Sequence, residues 1–493
     1  MPTRREFLKK TGQLSGALVL SGHAFDVRAV EPAGVEVNDV QSQLNATRVN
    51  RIVQPTSIDA IQGALRSARG EMRAVSVAGG RHAMGGQQFG RDTLLLDMTR
   101  HNRVVLFDKT KGHIEVQAGI EWPELIDYLH REQLEAHQPW VIREKQTGVD
   151  RVSLGGSLAS NVHGRGLRFP PIVGDVESFV LIDARGMLHS CSRRENAELF
   201  ALAIGGYGLF GIIAQVTLRL VPRTKVQRIV EVIPLKNLLG GVENRLRDGF
   251  MYGDCQYSTD LEGDADSHPG VFACYRPVAA DTPVPADQKQ LSNKDWIELY
   301  TLARTNKKKA FERYSQYYLG TSGQVYWSDT HQLAGNFDAY REAVDKQRGT
   351  EMITEVYVTK DAFLPLLAQA RKDFLEHRVD MTYGTIRFIE KDTDTFLAWA
   401  KEPSVCIVCN LHVLHTEEGQ KKAAADFRRI IDRVIQHGGR YYLTYHRWAD
   451  RKQVGTCYPQ FVEFLRLKRK YDPDERFQSD WYRHYKKMFA DKL

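Results

Sequence analysis

The sequence predicts an α+β fold made of two units. Short strands and helices are mixed as far as Pro222, and a longer, more charged region with its own helices and strands follows that proline. The chain has 493 residues, 42% of them hydrophobic, which is enough to bury a large core and to form two or more folding units. We place the first unit at 45–222 and the second at 223–437, with a C-terminal segment at 438–493.

In the first unit, short β-branched and apolar runs predict strands, and apolar residues at helical spacing predict helices. The predicted strands are 51–55, 74–78, 93–98, 104–108, 113–118, the hairpin 174–183 and 187–191, and 211–221. The predicted helices are 57–69, 122–130 and 196–202, and Pro123 marks the first turn of the second one.

The second unit is predicted from the same signals. Its helices are expected near 289–314, 360–376 and 419–437, and strands are expected between them at 352–359, 381–389 and 405–414. The last stretch, 440–485, is dense in aromatic residues. This aromatic content predicts a folded segment and not a disordered tail.

The charge and the cysteine content exclude several classes of protein. Lys and Arg number 68 against 61 Asp and Glu, a net charge of +7, and part of the excess lies in the first ten residues. No basic stripe interleaved with aromatic residues is present, so the charge is typical of a solvated surface and no nucleic-acid partner is expected. The six cysteines are too few and too dispersed for the disulfide framework of a small secreted scaffold, and core thiols are expected.

Residues 1–29 predict a bacterial twin-arginine export signal. Arg4 and Arg5 precede a short apolar stretch over 14–20, and small residues follow around Gly22 and Ala24. The apolar stretch is far shorter than the roughly 20 residues that a transmembrane helix needs. We expect export by the twin-arginine machinery to the periplasm or the medium, with membrane association and signal cleavage left open. Because this route exports folded proteins, the signal also predicts a cofactor.

Three glycine-rich segments of the first unit are candidates for a shared site. The segment 77–86 is a strand end followed by a turn with four glycines, whose backbone N–H groups can point at a phosphate. The segment 153–166 is rich in small residues, which lets a flat ring lie against the backbone. The segment 204–213 is a tight entry to a buried strand. Each could be an ordinary loop, and no GxGxxG of the nicotinamide fold opens a helix after the first strand.

The order of these segments resembles the FAD-binding domain of the vanillyl-alcohol oxidase and p-cresol methylhydroxylase (PCMH) superfamily. The similarity covers 51–222 and extends to 438–485, which implies that the C-terminal segment returns to the FAD-binding domain. Within the superfamily, the patterns are similar to those of the aldonolactone and alditol oxidases and of the decaprenylphosphoryl-ribose 2'-oxidases. The resemblance implies a PCMH-type FAD-binding domain of two subdomains and an α+β substrate (cap) domain.

The resemblance also implies which residues hold FAD. The first segment would wrap the pyrophosphate, with the isoalloxazine attached covalently to His82; the second would flank the ring, and the third would contact the adenine side through its backbone. The implied residues are Gly79, Gly80, Arg81, His82, Ala83, Met84, Gly85, Gly155, Gly156, Ser157, Ala159, Ile212 and Ile213. A loop histidine beside a noncovalent flavin is the alternative for His82. No cysteine occupies a place suited to a second covalent link.

The residues expected to contact the substrate match those of these relatives less closely. Thr385 stands where the aldonolactone and alditol oxidases have a glutamate, whereas Arg387 matches and could stabilise negative charge on the reduced flavin or orient a substrate oxygen. An arginine on the sheet surface is the alternative. The pocket lysine of both relatives is absent, so Tyr445 or His446 is the expected substitute for proton handling, and His163 is a third candidate. The choice of base stays open.

No metal site is predicted. Cys406, Cys409, His412 and His415 follow one another in steps of three, but they lie in a predicted strand. Strand alternation sends Cys406 and His412 to one face and the other two residues to the opposite face, so the four cannot converge on one zinc. His412 alone could line the pocket.

Taken as a whole, the sequence predicts an exported FAD-dependent oxidoreductase with a small-molecule substrate. The expected substrate is a sugar, a sugar lactone such as D-arabinono-1,4-lactone, or a polyol. Its CH–OH carbon would pass a hydride to the flavin while a base removes the hydroxyl proton, with O2 or a quinone as electron acceptor. The alternatives are a flavin dehydrogenase for a lipid-linked sugar or sterol-like substrate, a non-catalytic exported flavin-binding protein, and a flavin-free carbohydrate-binding module.

Overall fold

Helices and sheets are mixed throughout the part of the chain that the computed structural model describes, residues 34–334 and 349–493. This confirms the predicted α+β fold class. The export signal predicted at 1–29 lies outside the described residues. Within the two described ranges, no helix is both long enough and apolar enough to cross a membrane.

A small parallel sheet comes first in the chain. Its strands β3 (Arg51–Val53), β4 (Val75–Ala78) and β5 (Leu94–Asp97) lie in the order β3-β5-β4, beside a ribbon of β1 (Val35–Val37) and β2 (Thr47–Val49). Helix α1 (Ile58–Gly70) begins at Ser57, whose side chain accepts a hydrogen bond from the backbone N–H of Ala60 at 3.1 Å. The apolar residues at helical spacing confirm the predicted helix, and they form the face of α1 that packs on this sheet.

A five-stranded antiparallel sheet follows, in the order β10-β9-β11-β7-β6. Its strands are β6 (Val104–Asp108), β7 (His113–Gln117), β9 (Val176–Ile182), β10 (Leu188–Ser192) and β11 (Ile212–Arg219). The helices of this region are α2 (Trp122–Arg131), α3 (Leu154–Ser160) and α4 (Ala197–Ala203). The short strands β8 (Trp140–Val141) and β12 (Val221–Pro222) pair beside it, so the predicted boundary at 222 falls at the end of β12.

The largest sheet has eight antiparallel strands in the order β16-β13-β15-β14-β18-β19-β17-β20. The strands are β13 (Lys225–Pro234), β14 (Tyr252–Tyr257), β15 (Pro269–Pro277), β16 (Val325–Trp327), β17 (Gly349–Val358), β18 (Met381–Ile389), β19 (Ser404–Leu414) and β20 (Arg440–Tyr441). The helices between them are α5 (Leu238–Arg247), α6 (Asn293–Thr305), α7 (Lys307–Leu319), α8 (Lys360–Glu376) and α9 (Glu417–Gln436). The helix predicted near 289–314 is therefore two helices that meet at Asn306, whose side chain caps α7.

The C-terminal segment contacts two of the sheets. Strand β20 pairs with β17, and helices α10 (Arg451–Cys457), α11 (Phe461–Tyr471) and α12 (Asp480–Met488) follow. Between the last two helices, Phe477 bridges in parallel to Val75 of β4, and the N–H of Val75 donates to the carbonyl of Arg476 at 2.7 Å. The segment thereby joins the eight-stranded sheet to the strand that leads into the first glycine-rich loop.

The core extends through both large sheets. Buried apolar residues of the five-stranded sheet, the eight-stranded sheet and the C-terminal helices form one continuous cluster. All six cysteines are buried and free, which confirms the expectation of core thiols.

Candidate active site

A cavity of about 870 Å³ is lined by all three glycine-rich segments and by residues of the eight-stranded sheet. Gly79, Ala159 and Ile212 come from the three segments, and Glu355 and Arg387 come from β17 and β18. Segments that are far apart in the chain therefore share one cavity. Its volume falls within the range of ligand sites, roughly 300–1,000 Å³.

Two of the glycine-rich segments are packed so closely that side chains larger than hydrogen would not fit. A Cβ on Gly79 would lie 1.9 Å from Oγ of Ser153, and one on Gly80 would lie 2.4 Å from the carbonyl oxygen of Arg151. A Cβ on Gly155 would lie 3.0 Å from that of Ala118. The bare backbone at the cavity wall is what a flat or extended ligand such as FAD requires, so the residues present fit that group.

Arg81 shapes the first loop rather than offering a free charge. It has a positive φ of 60°, and its guanidinium binds Asp97 at the end of β5 at 2.9 Å. Its carbonyl accepts a hydrogen bond from the N–H of Val40 at 2.9 Å. The loop is therefore fixed on both sides, although Arg81 still contributes to the cavity wall.

His82 also lines the cavity. Burial lowers the pKa of its imidazole to about 4, against the opposing effects of a backbone hydrogen bond with Arg151 and the charge of Asp39. The ring is therefore neutral at neutral pH, the form in which a ring nitrogen can act as a nucleophile.

The structure brings most of the other implied FAD residues to the same wall and places two elsewhere. Those in the wall are Gly79, Gly80, Ala83, Met84, Gly155, Gly156, Ala159, Ile212 and Ile213. Ser157 is a correction, because its buried Oγ faces Nε1 of Trp122 at 3.2 Å instead of the cavity. Gly85 is also outside the wall, and its N–H donates to Oε1 of Gln87 at 3.0 Å.

Glu355 is the centre of a polar cluster on the part of the cavity wall that the eight-stranded sheet contributes. Its Oε1 accepts the hydroxyl of Tyr445 at 2.5 Å, and its Oε2 accepts Nε2 of His163 at 2.7 Å and the hydroxyl of Tyr357 at 2.8 Å. Burial raises the pKa of Glu355, but His163, Arg387 and Tyr445 together outweigh burial and lower it to about 2. The carboxylate is therefore ionised in the buried site.

This cluster limits which residue can accept a proton. The ring nitrogens of His163 lie against Oε2 of Glu355 and, at 3.1 Å, the carbonyl oxygen of Gly164, so both face acceptors. Burial and then the charge of Glu355 raise the pKa of Tyr445 well above its ordinary value, so Tyr445 stays a phenol that donates to Glu355. His163 thus positions the carboxylate, and Tyr445 can take up a proton only as it passes its own proton to Glu355.

Arg387 is a charged group of the site whose side chain has no hydrogen-bond or ion-pair partner among the described residues. It lies on β18 opposite Cys406 of β19 and is only 8% exposed. Its side chain makes no hydrogen bond or ion pair with any residue in 34–334 or 349–493. Burial alone would lower its pKa, but the charges of Glu355, Tyr383 and Asp254 raise it, so the guanidinium remains charged and its donors are available to a ligand.

His446 is not in the cavity wall, which corrects its prediction as a base. It is 1% exposed and packed against the rings of Phe427, Tyr441 and Trp448. Burial lowers the pKa of its imidazole to about 3. Its role is therefore in the core, among these aromatic rings.

The residues of the spaced Cys/His pattern have separate partners. Cys406 lies 3.6 Å from Glu355, and Cys409 lies 3.3 Å from the hydroxyl of Tyr257. His412 binds Glu351 at 3.0 Å instead of lining the cavity, and His415 contacts Thr350. Thr385, at the position of the relatives' glutamate, is buried and donates to the carbonyl of Cys255 at 3.3 Å.

Sequence reasoning missed Glu355, the residue on which the cluster depends. The available signal was an acidic residue inside the apolar strand segment Ile353–Thr354–Glu355–Val356–Tyr357. A carboxylate in such a strand is normally paired or functional, since burying it alone is costly.

Comparison with known proteins also assigns the first two glycine-rich segments to an FAD-binding domain. Residues 49–192 match the family model described as an FAD binding domain. The chain is 31% identical to L-gulonolactone oxidase of Bos taurus over 194 residues, 39% of this chain and 42% of that protein. It is 35% identical to mitochondrial L-galactono-1,4-lactone dehydrogenase 1 of Oryza sativa subsp. japonica over 178 residues, 36% of this chain and 29% of that protein.

A third relative is a putative D-arabinono-1,4-lactone oxidase of Neurospora crassa, 29% identical over 170 residues, 34% of this chain and 29% of that protein. The chain thus matches less than half the length of each of these relatives. Residues 49–192 form an FAD binding domain with FAD as cofactor, and the chain is related to the aldonolactone oxidases and dehydrogenases.

Proposed function

We propose that this protein is an FAD-dependent oxidoreductase that oxidises a CH–OH group of a sugar lactone, a sugar or a polyol. The observation that carries the proposal is the shared cavity: the glycine-rich loops of the FAD binding domain and the Arg387, Glu355 and Tyr445 side chains line the same space. The relatives named as lactone oxidases and dehydrogenases support this substrate class.

Tyr445 and Glu355 form the route for the hydroxyl proton. Because Tyr445 donates its own proton to Oε1 of Glu355, the lone pairs of its oxygen can accept the hydroxyl proton of a substrate. As the CH–OH group loses a hydride and becomes a carbonyl, the substrate proton moves to the Tyr445 oxygen and the Tyr445 proton moves to Glu355. The neighbouring charge of Arg387 orients the substrate oxygen and stabilises negative charge that develops on it.

The chain's glycine-rich loops would hold FAD along the cavity wall. When bound there, FAD supplies the hydride acceptor, and O2 or a quinone then takes up the electrons. The neutral, buried imidazole of His82 supports a covalent attachment to the flavin at this position.

Export is the second part of the proposal. The arginine pair at 4–5 and the apolar stretch that follows it support the twin-arginine route to the periplasm or the medium. A double substitution Arg4→Lys and Arg5→Lys is expected to retain the flavin-loaded protein in the cytoplasm, as measured by fractionation of the producing cells. Normal export of the double variant would contradict the proposal.

The oxidoreductase proposal is tested by anaerobic titration of the purified yellow protein with aldono-1,4-lactones, free aldoses and alditols. At least one CH–OH donor is expected to bleach the visible flavin absorbance, and admission of O2 or a soluble quinone is expected to restore it. A coloured protein that none of these donors bleaches would contradict the proposed activity and favour a flavin-binding protein without turnover. The acceptor that restores the absorbance faster distinguishes an oxidase from a dehydrogenase.

A further inference from the structure

Arg228 is a buried cation that has no acidic partner among the described residues. It lies on β13, is 9% exposed and contributes to the cavity wall. Its Nε donates to the hydroxyl of Tyr275 at 2.9 Å, and its Nη1 donates to Oγ1 of Thr321 at 3.0 Å. Its guanidinium also lies 4.6–5.3 Å from the ring centres of Tyr275, Tyr318 and Tyr326.

Arg165 approaches the same hydroxyl from the second glycine-rich segment. Its Nη1 donates to Tyr275 at 3.2 Å, and its buried Nε has no hydrogen-bond partner. The carboxylate of Asp254 is 4.0 Å from that nitrogen. The two guanidinium groups therefore share the hydroxyl of Tyr275, and Asp254 is an acidic partner of Arg165 only, at the limit of ion-pair distance. We call Arg165, Arg228 and Tyr275 the arginine subsite.

This arrangement leaves positive charge and hydrogen-bond donors unused. A guanidinium carries five N–H donors, and Arg228 uses two of them on neutral oxygen atoms. A buried charge is costly unless it is paired and hydrogen-bonded. Since both arginines line the cavity, a ligand is the natural partner for their remaining donors.

The arginine subsite is separate from Arg387, the charged group proposed to orient the substrate oxygen. In the eight-stranded sheet, β13 lies three strands from β18, which carries Arg387. At a strand spacing of about 4.8 Å, the backbones at these positions are roughly 14 Å apart. Asp254 lies on β14 between them, next to β18. Because Arg165 follows His163 by only two residues and His163 contacts Glu355, a ligand whose CH–OH group contacts Tyr445 has the arginine subsite within the same cavity.

We propose that the arginine subsite binds an anionic group, a carboxylate or a phosphate, at the end of the substrate remote from the oxidised carbon. The planar fork of an arginine matches either group through two parallel hydrogen bonds. The tyrosine rings fix the guanidinium of Arg228 and leave its free edge for the anion. The substrate class is thus an acidic sugar derivative. This inference refines the proposed function and rests on it, because the ligand is a substrate only if the protein oxidises it.

The test compares three six-carbon ligands that differ only at one end: D-glucose, D-glucuronate and D-glucose 6-phosphate. Each is titrated calorimetrically into the full-length, flavin-loaded protein without O2, and an unchanged visible flavin absorbance shows that the heat measures binding and not turnover. At least one of the two acids is expected to bind about 10- to 100-fold more tightly than glucose, the gain expected of charged hydrogen bonds. The acid that gains more identifies the anionic group as a carboxylate or a phosphate.

Variants assign the gain to the arginine subsite. Arg228→Gln and, from the other segment, Arg165→Gln are each expected to reduce the affinity for the preferred acid to that for glucose. Arg276→Gln is the control, because Arg276 is exposed and its side chain contacts Gln227 outside the cavity wall. Arg165→Gln keeps the test valid if Arg228→Gln fails to fold, and circular dichroism reports folding in each case.

Three results would overturn the inference: equal affinity for the three ligands, no measurable binding of either acid, or an unchanged preference in both arginine variants. These results are independent of the proposed activity. If no CH–OH donor bleaches the flavin but the acids bind through the arginine subsite, the oxidoreductase proposal fails and the anion site stands.

Discussion

The hydroxyl oxygen of Tyr445 lies 2.5 Å from Oε1 of Glu355, although the two residues are 90 positions apart in the chain. The pairing of β20 with β17 brings them together, because Tyr441 lies opposite Val356 and the chain continues from there to Tyr445. A phenol bound in this way to an ionised carboxylate can accept one proton as it gives up another.

Tyr445→Phe and Glu355→Gln should each slow flavin reduction by about 10²-fold or more, the usual loss when general acid–base assistance is removed. The first change removes the atom that accepts the substrate proton, and the second removes the negative charge that receives it. Stopped-flow measurement of anaerobic flavin bleaching at saturating substrate checks this. Flavin content should stay unchanged, since neither residue lies in a glycine-rich segment.

Glu231→Gln is the matched control for the carboxylate. Glu231 lies in the same sheet, but it is exposed and pairs with Arg245 outside the cavity wall. Its reduction rate should equal that of the unaltered protein. If Tyr445→Phe is as fast as the control, the proton route through Tyr445 is wrong.

His82→Ala should yield a protein from which acid precipitation releases all of the flavin, because the proposed covalent link is lost. The unaltered protein should keep its yellow colour in the acid pellet. The measurement is the visible spectrum of pellet and supernatant, with the exposed His137→Ala as control. Flavin in the supernatant of the unaltered protein would show that the link does not exist.

The local elements could be predicted from the sequence because their signals are local. The bounds of α8 and β18 coincide with those predicted, and apolar periodicity and β-branched runs were sufficient for both. Helix α3 was missed, since its Gly155 and Gly156 disfavour a helix in isolation. The serine cap at Ser153 and the close approach of Gly155 to Ala118 stabilise the helix in the folded chain.

The site could be predicted only in part, because side-chain direction and strand pairing are not local properties. The three glycine-rich segments do line one cavity. Tyr445 and His446 are adjacent in the sequence, yet one faces the cavity and the other is buried among aromatic rings. Glu355 reaches His163 through the packing of β17 against a loop nearly 200 residues earlier, and no periodicity in either segment reports that contact.

Glu144→Gln should stabilise the protein at pH 8 and have little effect near pH 4.5. Burial and then the charge of Asp175 raise the pKa of Glu144 from 4.5 to about 8, against the opposing charge of Arg143. The folded chain therefore holds a proton that the unfolded chain releases, so stability falls as pH rises from about 4.5 to about 8. Each pKa unit corresponds to about 1.4 kcal/mol, which predicts a difference of a few kcal/mol at pH 8.

The check for Glu144 is the midpoint of thermal unfolding at pH 5 and pH 8 for the unaltered protein, Glu144→Gln and the exposed control Glu135→Gln. Comparing variants at each pH removes the contribution of other titrating groups. A gain from Glu144→Gln that is the same at both pH values would mean that the carboxyl does not titrate differently in the folded and unfolded chains.

Lys468→Met should lower the free energy of unfolding by about 3–5 kcal/mol, because it leaves a buried charge without compensation. Lys468 and Asp472 form an ion pair with side chains 0% and 1% exposed, and Asp472 also accepts the backbone N–H groups of Arg476 and Phe477 at 2.8 Å each. These contacts hold Phe477 beside Val75, just before the first glycine-rich loop.

Urea denaturation measures the loss, and the double variant Lys468→Met/Asp472→Asn should recover part of it. Lys470→Met, on an exposed turn of the same helix, should cost at most about 1 kcal/mol. An equal loss from Lys468→Met and Lys470→Met would mean that the buried pair does not stabilise this junction.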